Sequence, residues 1–221
     1  MPSVLIADDH PLFRQALRQA ATEAVPGLLT FQAESLEEAL QQLDGNPDID
    51  LVLLDLHMPG NHGLAGLAAI RSQFPAVGVM VVSANDDTAV IRRALDHGAM
   101  GYLPKRSDIA LLGEAILTVI DGQQWLPPGL RESVARTASR EQDISLASGL
   151  SRLTAQQFRV LTLVADGLLN KQIADRLGIQ ERTVKAHLTA IFERLDVRNR
   201  TQAGVVLREL AINDPSRRLE D

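Results

Sequence analysis

Val4-Leu5-Ile6-Ala7-Asp8-Asp9-His10-Pro11 decides how the first half of this chain is read. Four consecutive apolar residues are too few for a buried helix and suit a strand covered on both faces. Two carboxylates follow at once, and Pro11 marks the first position of a helix. Working outward, strand-length apolar runs occur at Ser3–Ala7, Leu29–Gln32, Asp50–Leu54, Val77–Val82 and Met100–Leu103. Stretches with helical spacing lie between and after them, at about 11–24, 35–44, 63–74, 87–97 and 107–121. In the first stretch Leu12, Ala16, Leu17 and Ala20 mark the expected inward face. In the last, Ile109, Leu112, Ala115, Ile116 and Val119 do so. Strand and helix alternating five times predict an α/β unit over 1–121: a doubly wound (βα)5 domain on a parallel five-stranded sheet.

The charge is divided along the chain. Residues 1–121 carry 16 acids and 7 bases, net -9, whereas 122–221 carry 12 acids and 15 bases, net +3. Two modules with different partners are expected from that asymmetry. The absence of cysteine rules out disulfides, thiolate metal sites and a cysteine nucleophile. No apolar run approaches the ~20 residues of a membrane helix. The N-terminus has neither a basic segment nor a long apolar one, so a secretory leader is not expected and the cytoplasm is the expected location.

Residues 122–149 read as a linker, helical in part. Trp125-Leu126-Pro127-Pro128-Gly129 looks like a helix stop, and Arg131 to Ser148 is polar with weak periodicity. From 150 to 212 the pattern is helical only. Thr154 is a candidate N-cap for a helix reaching Asp166. Asn170 caps a short helix to Leu177 ended by Gly178, Glu181 to Leu195 forms a third, and Asn199 or Arg200 to Ile212 a fourth. Residues 213–221 read as a polar tail.

Four of the apolar runs end on polar residues that a strand does not need: Asp8-Asp9, Asp55, Ser83 and Lys105. Ligands of open parallel sheets bind outside the carboxyl ends of the strands, so these residues are expected on one rim. Three neighbouring carboxylates repel unless a cation neutralises them. Mg2+ suits such a hard oxygen set and keeps waters that a phosphoryl oxygen can replace. One carboxylate can then attack phosphorus, with Lys105 and Ser83 bonding the phosphoryl oxygens.

On these residues, 1–121 resembles a CheY-like receiver domain. The resemblance rests on Ala7-Asp8-Asp9-His10-Pro11, Leu54-Asp55-Leu56-His57-Met58-Pro59-Gly60, Ser83-Ala84 and Gly98-Ala99-Met100-Gly101-Tyr102-Leu103-Pro104-Lys105. It implies Asp55 as phosphoacceptor, with Asp8, Asp9, Asp55 and the main-chain carbonyl of His57 as Mg2+ ligands. It also implies Tyr102 as an aromatic switch residue that turns inward as Ser83 engages the phosphoryl group.

The helical half contains two short helices joined by a glycine turn, a helix-turn-helix pattern. Val184, Leu188, Ile191 and Leu195 share one face of the third helix and should pack inward. Arg182, Lys185, Ala186 and Thr189 lie elsewhere, on a face able to enter a major groove. Lys185 can bond guanine, and Ala186 or the Thr189 methyl can touch thymine. Asn170, Lys171, Thr183, Arg198 and Arg200 are candidate phosphate contacts. His187 is read as a packing residue. The final helix, with Ala203, Val206, Leu207 and Leu210, offers a candidate dimer face.

Residues 150–212 resemble the LuxR-type DNA-binding domain. Asn170-Lys171-Gln172-Ile173-Ala174, Leu177-Gly178-Ile179, Thr183-Val184-Lys185-Ala186-His187 and Val197-Arg198-Asn199-Arg200-Thr201-Gln202-Ala203 carry the likeness. Where Gln157 stands the family often has an acid, so a salt bridge within the module is expected to loosen; where Thr189 stands it often has a second base, so of the base contacts the resemblance carries over only Lys185 directly. The two halves together resemble a NarL/FixJ-type response regulator of bacteria, not an enzyme. The resemblance implies a sensor histidine kinase as phosphate donor, double-stranded promoter DNA and RNA polymerase as partners, and a homodimer once phosphorylated. A haloacid-dehalogenase-type phosphohydrolase would need a second aspartate two residues beyond Asp55, where His57 stands. A ligand-gated regulator would need a pocket in the first domain.

Overall fold

The computed structural model describes residues 1–61 and 63–210. Five strands, β1 (Ser3–Ala7), β2 (Leu29–Ala33), β3 (Leu51–Leu54), β4 (Gly78–Ser83) and β5 (Gly101–Pro104), pair in parallel in the order β2-β1-β3-β4-β5. The helices between and after them are α1 (Pro11–Ala24), α2 (Leu36–Gly45), α3 (Ala65–Gln73), α4 (Thr88–Asp96) and α5 (Leu112–Ile120). A 3-10 turn, Ile109–Leu111, precedes α5. The strand order reverses between β1 and β3, so the sheet's switch point lies where Asp8 and Asp55 leave it.

Every residue of β1 and β3 is buried, as continuous apolar runs require. One face of the sheet packs with Leu17, Ala21, Leu112, Ala115, Ile116 and Val119 of α1 and α5. The inward stripe of α1 differs from expectation. Leu12 is 83% exposed and Ala16 is exposed, while Arg14, Leu17 and Ala21 are buried. The helix is rotated so that Arg14 reaches the main-chain oxygen of Asp8, at 2.6 Å. Ile109, in the 3-10 turn ahead of α5, is also exposed.

The segment 122–149, expected to be a linker helical in part, is largely helical. Pro128–Arg136 forms α6 and Glu141–Ser151 forms α7. Pro127 and Pro128 start a helix here, because proline at the first helical position has no lost hydrogen bond to make good. Trp125 extends the sheet edge. It bridges to Gly101, donating its N–H to Met100 O (2.9 Å) and accepting from Tyr102 N–H (3.3 Å). Its ring is buried, and the indole N–H donates to Glu114 Oε1 at 3.1 Å.

The last four helices are α8 (Ala155–Ala165), α9 (Asn170–Leu177), α10 (Glu181–Leu195) and α11 (Arg200–Glu209). Thr154 caps α8 in a reciprocal box with Gln157. Gln157 also accepts from Arg194, so the glutamine keeps the tie to α10 that its substitution for an acid was expected to loosen. Gly178 ends α9 at φ 64, in the left-handed region that favours glycine. Asn170 is the first residue of α9 and not its cap; Leu169 precedes it, its N–H held by Gln172 at 2.7 Å. The described part of α11 ends at Glu209, and Ile212 with the tail 213–221 lies outside the described residues. Ala203, Leu207 and Leu210 are fully buried in the chain's own core, so this face of α11 is not available to a second copy. They close the helical unit against α8.

The two halves are docked. Helix α7 lies against α3 and α4, and α8 against α3. Residues 63–70 are buried without interruption, which places α3 between the sheet and the helical half. Polar ties cross the joint: Ser72 Oγ donates to Leu153 O, and Arg93 donates to Asp143 Oδ1 (3.0 Å) and Glu209 O (2.6 Å).

Candidate functional site

The ends of β1, β3 and β5 bring Asp8, Asp9, Asp55 and Lys105 together. Lys105 Nζ lies 2.7 Å from Oδ2 of Asp8 and donates to Oδ2 of Asp55 at 2.8 Å. The same ammonium sits 4.6 Å from the centre of the Phe13 ring, which fixes its stem on the apolar side. Asp8 and Asp55 are 1% and 2% exposed, and Asp9 is half-buried. Burial pushes the Asp55 carboxyl up from its ordinary value, and Lys105 opposes that without cancelling it. Burial alone pulls Lys105 down, but Asp55 and Asp8 outweigh it and leave the ammonium above its ordinary value. The cluster is therefore a desolvated carboxylate held against a firmly charged lysine.

Oδ2 of Asp8 and Oδ1 of Asp9 are buried without an aligned hydrogen bond among the described residues. One donor atom from each of Asp8, Asp9, His10 and Asp55 fits within 4.8 Å of the others. The three carboxylate oxygens of this set suit a hard divalent cation. His57 stands at the rim, its N–H donating to Asp55 Oδ1 at 3.3 Å and its Nδ1 3.9 Å from the same oxygen.

Ser83 is fully buried, and its hydroxyl accepts the N–H of Asn85 at 3.2 Å. Tyr102 is turned inward and fully buried, donating its hydroxyl to Asn85 O at 2.6 Å. Burial pushes this phenol well up. Three supporting residues were not anticipated from sequence. Arg14 donates to Asp8 O, to Gln32 Oε1 (3.2 Å) and to Glu34, tying the loops after β1 and β2 together. Asn61 donates to Asp55 O (3.1 Å) and accepts from Gly66 N–H (2.8 Å), fixing the loop after β3 to α3. Phe13 is the third. The one available signal was an arginine three residues before Leu17 on an otherwise apolar stripe.

On α10, Val184, Leu188 and Ile191 are buried, and Leu195 is half-buried. Arg182, Lys185, Ala186 and Thr189 are exposed, and the docked first half leaves them uncovered. Lys185 is paired with Glu181 at 3.1 Å, one helical turn back, and Thr189 bonds the carbonyl of Lys185. His187 and Thr183 are half-buried. Lys171 and Arg198 are exposed, whereas Arg200 donates to Leu168 O and to Asn170 Oδ1 (3.0 Å). Those two side chains bond each other, so Arg200 braces the start of α9.

A parallel sheet with an acid cluster at its switch point, followed by a helix-turn-helix unit, defines a phosphoacceptor module joined to a DNA-binding module. Residues 4–117 match the family model described as "Response regulator receiver domain", and 151–207 match "Bacterial regulatory proteins, luxR family". The chain belongs to the NarL/FixJ-type response regulators, a family of DNA-binding transcriptional regulators and not of enzymes. It is similar to the glycerol metabolism activator of Pseudomonas putida, 41% identical over 206 residues, covering 92% of this chain and 93% of that one. It is 34% identical to the nitrate/nitrite response regulator NarP of Escherichia coli over 203 residues, covering 92% and 93%. Among solved structures it shares its fold with two RcsB dimers on two parallel DNAs, at a TM-score of 0.57 and 22% identity, covering 95% and 97%. It likewise shares its fold with RcsB of Salmonella enterica serovar Typhimurium bound to a promoter with the phosphomimetic BeF3-, at 0.56 and 23%, covering 95% and 97%. No described helix is long and apolar enough to cross a membrane.

Proposed function

We propose that Asp55 accepts a phosphoryl group from a sensor histidine kinase and that this controls how the chain binds promoter DNA. The observation that carries the reading is Lys105 held between Asp8 and Asp55 at the ends of three strands. An oxygen of Asp55 forms the bond to phosphorus as the bond to the donor breaks, giving an acyl phosphate. Lys105 is then positioned to leave Asp55 for the new phosphoryl oxygens. Ser83 lies at the end of β4 beside them, and Tyr102 holds the loop that follows Ser83 through the Asn85 carbonyl. Asp8, Asp9 and Asp55 with the carbonyl of His57 would hold Mg2+, which would supply positive charge against the incoming phosphoryl group. The receiver unit is 1–121 and the DNA-binding unit 150–212. The protein works in the bacterial cytoplasm, with RNA polymerase as its further partner at the promoter.

Arg182, Lys185, Ala186 and Thr189 read base edges. Thr183, Asn170, Lys171, Arg198 and Arg200 lie toward the phosphates, Arg200 and Asn170 mainly by bracing α9. A second copy doubles the contacts through effective concentration, so phosphorylation acts by favouring a homodimer on a symmetric site. The test is to incubate the full chain with fragmented DNA of its source organism, with and without acetyl phosphate and Mg2+. Retained fragments should share an inverted pair of half-sites, and the phosphorylated protein should sediment as a dimer on them. Retention without sequence preference, or a monomer in both states, overturns the reading.

Lys185→Ala should weaken binding by about 1–3 kcal/mol and relax preference at one base position. A uniform loss over all sequences with a shallower salt dependence makes Lys185 a phosphate contact instead. Gel-shift titrations against a panel of single-base variants at two salt concentrations distinguish the two outcomes.

A further inference from the structure

His10 is the N-cap of α1, yet its side chain makes no hydrogen bond to the helix it starts. It turns toward the carboxylates. Nδ1 lies 2.8 Å from Oδ1 of Asp9 and 3.3 Å from Oδ1 of Asp8. Neither approach is an aligned hydrogen bond, and Oδ1 of Asp9 is a buried oxygen that no donor satisfies among the described residues. The imidazole is 65% exposed and can rotate without disturbing the core. Its nitrogen falls within the same small sphere as the oxygens of Asp8, Asp9 and Asp55.

Three carboxylates alone are a hard oxygen set that suits Mg2+. An imidazole nitrogen changes that, because nitrogen donors favour first-row transition ions, with affinity rising from Mn2+ to Co2+ and beyond. We propose that His10 is a fourth donor in this site and shifts its preference from Mg2+ toward divalent transition ions. The inference rests on reading Asp8, Asp9 and Asp55 as the metal site. Lys105 must be displaced by any entering cation, which weakens all ions alike and cancels in their ratio.

Calorimetric titration of the full chain with Mg2+, Mn2+ and Co2+ tests this without any phosphorylation assay. His10→Ala should weaken Co2+ at least about tenfold, Mn2+ less, and Mg2+ by under about twofold, following the nitrogen preference of each ion. His10→Gln, which keeps polarity but not the ring nitrogen, should behave like His10→Ala. Equal loss for the three ions, or no loss, overturns the proposal, since either makes His10 an electrostatic neighbour or a bystander. Asp9→Ala should weaken all three ions. If it changes none while His10→Ala also changes none, the acidic cluster itself is not the metal site, and that failure is distinct from a failure of His10 alone. Near-ultraviolet circular dichroism of each variant, reporting Trp125 and Tyr102, checks that the fold is kept.

Discussion

Asp55→Ala is expected to abolish incorporation of phosphate from acetyl phosphate, to the level of a protein-free control. Three carboxylates share the site, and their surroundings differ. Asp9 is half-buried, with its side chain 27% exposed, so water still reaches part of its charge. Asp8 is buried, but Oδ1 accepts the His10 N–H at 2.8 Å and Oδ2 faces Lys105. Asp55 ends the strand beside the switch point, is 2% exposed, and has the carboxyl that burial pushes up. A desolvated carboxylate is a stronger nucleophile than a solvated one, and a higher-lying pKa accompanies that gain. Asp55→Asn keeps the shape and the Lys105 contact but cannot form an acyl phosphate, so it should be equally unlabelled. Label retained at the wild-type level in either variant refutes the assignment.

Arg93→Ala should separate the two halves without unfolding either. Arg93 is the main polar tie across the joint, holding Asp143 of α7 and the Glu209 carbonyl of α11. Asp143 is 5% exposed, so removing its partner leaves a buried carboxylate with only His97, at 3.8 Å, beside it among the described residues. A fully buried pair broken this way costs about 3–5 kcal/mol; Arg93 reaches solvent, so about 3 kcal/mol is the better figure. At 1.4 kcal/mol per tenfold, the separated population rises about a hundredfold. Small-angle scattering should report a larger radius, and trypsin should cut faster in the connection between α6 and α7. Arg136→Ala, whose side chain is exposed and pairs only with Glu132 among the described contacts, is the matched control and should leave the scattering unchanged. An unchanged radius and cleavage rate for Arg93→Ala would sink the claim.

The same joint should respond to acid. His97 is buried 3.8 Å from Asp143, and burial holds its imidazole below its ordinary value, with Asp143 pulling the other way without cancelling it. The docked form therefore holds His97 neutral, and the separated form binds its proton more readily. Docking is then complete above the ordinary imidazole value of about 6.5 and weakens as pH falls through it.

Much of this was legible in the sequence because burial on both sides writes itself as unbroken apolar runs. The strands were found within a residue or two, and the acids at their ends pointed to one rim. Gly178 after Leu177 marked the turn between α9 and α10 for an equally local reason, a left-handed backbone position. The extent of helices α6 and α7 was hidden because their partner surface is supplied by α3 and α4, more than 30 residues away in sequence. Ile144, Leu146 and Leu150 do not form a clean stripe on their own. Arg14 was hidden for a similar reason: a charge on a buried face makes sense only once the Asp8 carbonyl is placed beside it. The phase of α1 failed with it, since aligning Leu12 inward requires turning Arg14 out.

Helix α3 holds one more consequence. Ala65-Gly66-Leu67-Ala68-Ala69-Ile70 is apolar on every side because it is covered on every side. A helix lying on a sheet with one flank in water normally keeps charges on that flank. Here a lysine or glutamate at Ala65, Ala68 or Ala69 would meet protein wherever it pointed. The composition of this single turn-and-a-half thus serves as a fingerprint of the closed arrangement. In relatives, a charge at the matching positions marks a chain whose halves rest apart, and an unbroken run of small apolar residues marks one whose halves rest together. Variation within one short helix can in this way sort members of the family by resting architecture before any of them is crystallised.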